Sequence, residues 1–305
     1  MATSKTKARM NAYDEDKSIG LTIHRIVCYV VLSIFAFLAI FFFYLLLINA
    51  TRTHNEIQTS LSLLPGSNLL VNLIGSDDPQ SKFVGVLNDP NLKILQGLLN
   101  SLIVSGLSAL LSVYFSGMTA YGVHVYNFPG KKAFFNAILL IMTIPTQVSA
   151  LGFYNLMNDW NLTNNFIPLI IPAIAAPTVF FFMKQYMESS LPLDIVEAAR
   201  IDGSNEFRTF NEIILPILKP AFAVQAIFSF TASWNNYFMP ALILDKPEMK
   251  TMPLWIAFVR GRELATLNFG EVYMVLALAI IPVMIVYFCF SKFIVAGVTL
   301  GSVKG

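Results

Sequence analysis

Long apolar segments alternate with short polar segments along most of the chain. The first apolar segment, residues 26–48, contains no charged residue. At about 1.5 Å of rise per helical residue, it is long enough to cross a hydrocarbon core of roughly 30 Å. Five further segments are similarly apolar, so the pattern predicts six transmembrane helices, the other five at residues 94–125, 133–154, 166–183, 220–244 and 272–295.

The longest polar interruption, residues 51–93, follows the first segment. It contains residues that favour turns and loops, among them Pro65, Gly66, Gly75 and Pro79. We expect an extracytoplasmic loop that is at most partly helical and too short to have a core of its own. The six spans then occupy residues 26–296, between an N-terminal tail of residues 1–25 and a C-terminal tail of residues 297–305.

Composition supports a protein that lies in a lipid bilayer. Hydrophobic residues make up 56% of the chain and charged residues 12%, and the mean hydropathy is +0.65, far from the balance of a soluble domain. The polar stretch before the first span predicts a retained anchor rather than a cleaved signal peptide. A formal net charge of +2 gives no reason to expect a nucleic-acid partner.

The distribution of Lys and Arg predicts the orientation of the spans. These residues cluster in the N-terminal tail and in the links that follow spans two and four. Because cytoplasmic loops carry an excess of Lys and Arg, both termini are expected in the cytoplasm. The link between spans five and six opposes this orientation, since its four basic residues would lie outside: Lys246, Lys250, Arg260 and Arg262.

Polar side chains form stripes on two of the predicted spans. Serines of span two recur at helical spacing, and we favour a close-packing face over a pore lining there. The stripe in span five includes the amide of Gln225, which needs a partner or a wet cavity in the membrane. Two interpretations remain open for span five, a translocation path or hydrogen bonds between helices. The two stripes are Ser101, Ser105, Ser108, Ser112 and Ser116 in span two, and Gln225, Ser229, Ser233 and Asn236 in span five.

The sequence offers no candidate for catalysis or metal binding. Cys28 and Cys289 lie in apolar segments and are expected to be small buried hydrophobic residues. The three histidines stand far apart, and no nucleophile has a base nearby. A phosphate-binding G-x-x-x-x-G-K-[ST] segment is also missing, so any ATP chemistry must come from a partner.

A charged segment, residues 189–216, interrupts the apolar pattern between spans four and five, and we call it the corner. Ser189 or Ser190 is expected to cap a short helix, with Pro192 in its first turn and Asp194 at its positive end. Gly203 is expected to end that helix in a left-handed conformation. A second helix would follow, capped by Ser204, with Phe207, Phe210 and Ile214 at helical spacing, and ended by Pro216.

The corner resembles a known motif. Glu197-Ala198-Ala199, three residues, Gly203, nine residues, Ile213, one residue and Leu215-Pro216 are similar to the EAA loop of ABC importer permeases. Further blocks, including "IPTQV" at 144–148, "SWNNYFMPAL" at 233–242 and the final "GSVKG", resemble the MalG-like subunits of carbohydrate-uptake importers. Residues 1–25 and 51–93 match no motif.

The resemblance implies a fold and a set of partners. The fold would be an all-α polytopic bundle of six transmembrane helices, the type I ABC importer transmembrane domain, with cytoplasmic coupling helices. The corner would dock on a cytoplasmic ABC ATPase dimer, which holds the ATP and Mg, and Glu197 would pair there with a basic residue. The implied coupling residues are Glu197, Ala198, Ala199, Asp202, Gly203, Ile213, Leu215 and Pro216.

Two further partners and a second contact with the ATPase follow from the same resemblance. A second, homologous permease subunit would complete the path. An extracytoplasmic sugar-binding protein would contact the link between spans five and six at Arg260, Gly261 and Arg262. The C-terminal tail, with Gly301, Lys304 and Gly305, would reach between the ATPase subunits.

The leading interpretation is therefore a permease subunit, not an enzyme, of an ATP-driven importer of sugars, expected to be oligosaccharides. The same machine could import glycerol-phosphate or another polyol derivative. A channel or ion-coupled carrier without an ATPase would instead need charged residues within the spans, and none of the six segments has one near its middle. If the chain were a membrane-anchored assembly protein, the corner would have no function.

Overall fold

The computed structural model describes residues 2–76, 84–263 and 267–302, and all regular structure in those ranges is helical. Helix α1, Ala2–Asn49, begins well before the first apolar segment, so the helix includes residues 2–25 of the predicted tail. The apolar part of α1, His24–Asn49, is hardly buried by the rest of the chain. Span one therefore stands at the edge of the bundle.

Residues 51–76 and 84–93 form a cap over one end of the bundle. The cap contains the short helices α2, His54–Thr59, α3, Leu69–Ile74, and α4, Gly85–Asn88. Its buried Arg52 donates to the carbonyl oxygens of Glu56 and Ser60 at 2.8 and 2.9 Å. Val86 and Leu92 belong to the main apolar core at this end. The partly helical character is thus confirmed, and the cap shares the core of the spans.

Span two is the central helix, α5, Ile94–Val125, with the bounds that the apolar pattern predicts. All five serines of its stripe are buried. Ser108 and Ser116 donate to the carbonyl oxygens of Leu169 and Ala176 at 3.2 and 3.3 Å, in the irregular part of span four. A Cβ added at Gly117 would lie 2.4 Å from the ring of Phe222 in span five. The packing interpretation of this stripe is confirmed.

Proline divides the third and fourth spans, so each departs from a single straight helix. Span three consists of α6, Lys131–Met142, and α7, Thr146–Asp159, which meet at 91°. Pro145 precedes α7 and favours an extended backbone at Ile144. Span four consists of α8, Ile167–Ile170, a 3₁₀ turn and α9, Pro177–Ser190.

The corner, the fifth span and the sixth span follow. Span five is also divided, since α13 ends at Trp234 and a further short helix, which contains Pro240, follows it. Among the described residues, four helices are long and apolar enough to span a membrane, or six if each of two bent pairs is one span. The elements are α10, Leu193–Ile201, α11, Glu206–Arg208, a π-helical turn, Thr209–Ile214, α12, Leu215–Ile217, α13, Lys219–Trp234, α14, Phe238–Ile243, α15, Met252–Arg260, and α16, Phe269–Ser302.

Two large apolar cores stabilise the bundle, one at each end. The cap-end core centres on Trp255 and Met252 of α15, which pack against α5 and α16. The corner-end core centres on Met183 and Phe210, which join α9 and the corner to α5. Cys28 and Cys289 are exposed on the outer faces of spans one and six, so their predicted burial within the chain is wrong. Nothing in the described chain covers those faces.

Candidate functional site

The corner is built around a left-handed glycine. Helix α10 ends at Ile201, and Gly203 follows with φ +76°. The Gly203 and Ser204 amides donate to the carbonyl oxygens of Arg200 and Ala199, both at 3.0 Å. These two bonds form the Schellman arrangement that closes many helices. The predicted stop at Gly203 is confirmed.

The predicted caps of the two corner helices are wrong in detail. Ser189 and Ser190 form the last turn of α9, and Pro192 occupies the position that caps α10. Asp194 does lie in the first turn of α10, as predicted. The second helix is capped by Asn205, whose side chain accepts from the Arg208 amide at 2.9 Å. An amide oxygen serves as well as a hydroxyl at such a position.

The second corner helix continues through Pro216, which was predicted to end it. A π-helical turn at Thr209–Ile214 lets the Leu215 amide donate to the carbonyl of Phe210, five residues back. Pro216 then lies in the first turn of α12, where a missing amide proton is tolerated. The chain turns at Leu218, and the corner helix meets α13 at 84°.

The motif residues divide between a surface that faces away from the bundle and one that packs on it. Glu197, Ala198, Asp202, Gly203 and Pro216 are exposed, and Glu197 has no recorded ion pair or hydrogen bond in the described chain. Ala199 is buried, and Ile213 and Leu215 are half-buried.

Two large apolar side chains, which the motif does not include, accompany the exposed set. Ile201 is 87% exposed and Phe207 is 67% exposed. The helical spacing placed Phe207 with Phe210 and Ile214, but the π-helical turn shifts the later two to the packed face. Exposed apolar side chains among charges are typical of an interaction surface. The sequence signal for Ile201 is its position beside Gly203 at the turn.

The packed face of the corner is held by aromatic rings. Phe210 is 2% exposed, and its ring centroid lies 5.9 Å from that of Tyr114, 5.5 Å from Tyr121 and 6.3 Å from Phe222. Tyr114 and Tyr121 belong to span two, and Phe222 belongs to span five. The corner therefore packs on both spans through one ring.

Charged groups join the two corner helices to the end of span two. The Arg200 Nε donates to Glu206 at 2.8 Å, and the Tyr121 hydroxyl donates to the other oxygen of Glu206 at 2.9 Å. The Arg200 guanidinium also lies 5.4 Å from the ring centroid of Tyr126. Partial burial would raise the pKa of Glu206, but its interactions with both tyrosines and Arg200 outweigh it and lower that pKa. This carboxylate is therefore charged at neutral pH.

The polar stripe of span five does not line the large cavity beside that span. Gln225 is 8% exposed and has no recorded hydrogen bond to another described residue, and Ser229, Ser233 and Asn236 are half-buried. A cavity of about 1200 Å³ lies on another face of α13, between spans one, five and six, and its walls are mostly apolar. The assignment of this stripe to a path stays a prediction.

The link between spans five and six is anchored to the chain itself. Gly261 ends α15, and Arg262 binds both oxygens of Glu271 at 2.8 and 3.0 Å and Asp89 of the cap at 3.3 Å. Lys250 lies over the rings of Trp255 and Phe258, at 5.1 and 4.8 Å from their centroids. Two of the four basic residues that oppose the predicted orientation thus have partners within the chain, whereas Arg260 is exposed.

The C-terminal tail and candidate metal-binding groups are the last of the predicted sites. Gly301 lies in the last turn of α16, and Lys304 and Gly305 lie outside the described residues. In the same described ranges, no group of three His, Cys, Asp or Glu side chains is placed to hold a metal ion.

Known proteins are similar to this chain in sequence and fold. The family described as "binding-protein-dependent transport system inner membrane component" matches residues 112–300. The arabinooligosaccharides transport system permease protein of Bacillus subtilis (strain 168) is 35% identical over 209 residues, 68% of this chain and 72% of that protein. The sn-glycerol-3-phosphate transport system permease protein of Agrobacterium fabrum is 26% identical over 90% of this chain and 96% of that protein.

A solved structure shares the architecture. It belongs to a bacterial ABC transporter involved in the import of the acidic polysaccharide alginate, with a TM-score of 0.73 and 22% identity, over 89% of this chain and 96% of the other. With the family match, this supports the predicted type I importer transmembrane fold.

Proposed function

The chain belongs to the family of inner membrane components of binding-protein-dependent transport systems, and we propose that its corner couples a separate ATPase to the import of oligosaccharides. As a family member it is a multi-pass plasma-membrane protein and a permease subunit of an ABC importer. Membership in this family excludes the alternative interpretations as a channel, an ion-coupled carrier or a membrane-anchored assembly protein.

The exposed face of the corner carries the proposal. Glu197 is exposed without a recorded partner in the described chain, beside the exposed apolar side chains of Ile201 and Phe207. A carboxylate that can accept from Arg or Lys, next to apolar anchors, suits a groove with a basic wall. The ATPase dimer supplies that groove and holds the ATP and Mg.

The orientation of the chain follows from the same docking. An ATPase works in the cytoplasm, so the corner lies there, and so do the ends of the chain on either side of an even number of spans. The Lys and Arg of the N-terminal tail and of the links after spans two and four support this orientation. The cap and the link with Arg260, Gly261 and Arg262 then face outward, where the binding protein delivers its cargo.

A second permease subunit completes the path. Thr146 and Gln147, at the break in span three, are exposed on the surface of this chain. Polar side chains and irregular backbone at membrane depth are tolerated where they face protein or water rather than lipid. The exposed break therefore supports a protein or water-filled neighbour at this face.

The cargo is a neutral oligosaccharide. Support comes from the arabinooligosaccharide permease, which at 35% is more similar than the glycerol-phosphate permease at 26%. Neutral hydroxyl groups also suit the uncharged Gln, Ser and Asn stripe of span five, whereas a phosphate would call for Arg or Lys.

Uptake measurements test the proposed function. The chain is reconstituted in proteoliposomes with its ATPase, second permease and binding protein, and labelled arabinotriose, maltotriose, raffinose and sn-glycerol 3-phosphate are offered with and without ATP. We expect ATP-dependent uptake of at least one oligosaccharide and none of the phosphate ester. Uptake of sn-glycerol 3-phosphate alone would contradict the cargo, and uptake that is independent of ATP would contradict the coupling.

A further inference from the structure

One carboxylate lies where the corner meets span two. Glu206 begins the second corner helix, and its two oxygens bind different parts of the molecule. One oxygen accepts from Arg200 of the first corner helix, and the other accepts from Tyr121 of span two. The two neighbouring corner helices and the distant span two thus meet at a single side chain.

Tyr126 strengthens this junction. It follows the last residue of span two and interacts electrostatically with both Glu206 and Arg200. The Arg200 guanidinium also lies over the Tyr126 ring, a geometry in which a cation is attracted to the ring face. The four side chains therefore connect both corner helices to the end of the central span.

The packing beneath the junction is mostly apolar, and its polar contact with span two is a single neutral hydrogen bond in the described residues, from the Tyr114 hydroxyl to Asn211 at 3.2 Å. Phe210 contacts rings from spans two and five, and an apolar contact permits small sliding movements at little cost. Hydrogen bonds to a charged group fix distance and angle much more closely. Glu206 therefore determines how the corner is oriented on span two.

We propose that Glu206, held by Arg200 and Tyr121, is the positioning residue through which movement of the corner is passed to span two. This proposal rests on the proposed function, since it assumes that the ATPase moves the corner. Glu206 need not touch the ATPase or the sugar. Its role is to keep the first corner helix, the second corner helix and α5 in one arrangement.

A second ion pair on the same corner helix provides a matched control. Arg208 binds Glu212 at 2.8 Å, the same distance as in the Arg200–Glu206 pair. The side chains of Arg208 and Glu212 are 65% and 61% exposed, and the pair lies within one helix. It bridges no elements, so its loss is expected to have no effect on coupling.

The test uses Tyr121→Phe, Glu206→Gln and their double variant, with Glu212→Gln as the control, in the reconstituted importer. Tyr121→Phe removes one hydroxyl and keeps the ring that packs on Phe210. We expect both single variants to assemble with the ATPase, to hydrolyse ATP at rates close to wild type and to lower sugar uptake per ATP by about three- to tenfold. The net contribution of a typical hydrogen bond supports an effect of this size. Glu212→Gln is expected to retain the wild-type ratio.

The double variant distinguishes the loss of one shared contact from two independent effects on the protein. If Tyr121 and Glu206 act through one contact, the loss in the double variant is smaller than the product of the two single losses. The combination of Tyr121→Phe with Glu212→Gln is expected to show no such interaction. A wild-type ratio in both single variants would overturn the proposal, as would equal falls in uptake and ATP hydrolysis.

Hydrogen exchange in the chain alone keeps this proposal separate from the proposed function. In lipid nanodiscs without an ATPase, the backbone amides of residues 200–208 are expected to exchange faster in Tyr121→Phe and Glu206→Gln than in wild type or Glu212→Gln. Equal exchange in all four proteins would overturn the junction. If the two variants exchange faster but the wild-type chain binds no ATPase, the junction is supported and the coupling function is refuted.

Discussion

The left-handed turn at Gly203 gives a sharp test of the corner. A Cβ added at Gly203 would meet no atom within 4 Å, so Gly203→Val introduces no clash. Its effect comes from the backbone alone, because φ is +76°. An L-residue in this conformation costs about 1–2 kcal/mol, and a β-branched side chain lies at the upper end of that range.

A penalty of this size changes the population of the turn substantially. One to two kcal/mol corresponds to a factor of about 5 to 30 in the equilibrium between this turn and an alternative backbone. The bonds at risk are those from the Gly203 and Ser204 amides to the end of α10. We expect Gly203→Val to lower ATP-dependent uptake by about that factor, while the amount of protein inserted in the membrane stays the same.

Two variants provide controls for Gly203→Val. Gly130 also has a positive φ, +84°, with no atom within 4 Å of an added Cβ, and lies outside the corner between α5 and α6. Gly130→Val therefore carries the same backbone penalty and is expected to retain uptake. Gly203→Asn is expected to retain most uptake, because Asn adopts left-handed conformations readily. Normal uptake in Gly203→Val, or an equal loss in Gly130→Val, would refute the reasoning.

Three further substitutions test the spans and the cap. Gly117→Ala brings a Cβ to 2.4 Å from the Phe222 ring and is expected to lower the free energy of unfolding by about 1–3 kcal/mol, whereas Gly106→Ala, which meets no atom within 4 Å, is expected to leave the Tm unchanged or higher. Arg262→Ala leaves Glu271 buried without its partner and is expected to lower the free energy of unfolding by about 3 kcal/mol. The double variant Arg262→Ala with Glu271→Gln is expected to restore part of this loss. An equal Tm for wild type and Arg262→Ala would contradict this. Gln225→Leu removes a buried amide without a recorded partner in the described chain and is expected to raise the Tm while lowering sugar uptake, and unchanged uptake would remove span five from the path.

Much of the fold could be predicted because the bilayer imposes a simple rule on the sequence. Long apolar segments must be helical in lipid, and span two has the predicted bounds. The turn at Gly203 could be predicted because few residues other than glycine adopt a left-handed backbone readily. The serine stripe of span two could be predicted because small side chains allow helices to approach closely.

The errors arise where tertiary structure outweighs local preference. Ser189 has a good capping side chain, but the preceding helix extends to Ser190 and leaves Pro192 at the start of α10. Pro216 ends an ordinary helix, yet the π-helical turn before it removes the conflict. The Glu206 junction could not be predicted, because Tyr121 lies 85 residues from it and no local pattern links the two.

The central claim is that the corner is the surface on which a separate ATPase acts. Photocrosslinking tests it directly, with p-benzoylphenylalanine in place of Glu197 and, as a control, in place of Leu61, which is 77% exposed in the cap at the other end of the bundle. In the assembled importer we expect an adduct with the ATPase at position 197 and none at position 61. An adduct missing at 197 in a complex that transports sugar, or present equally at 61, would contradict the account.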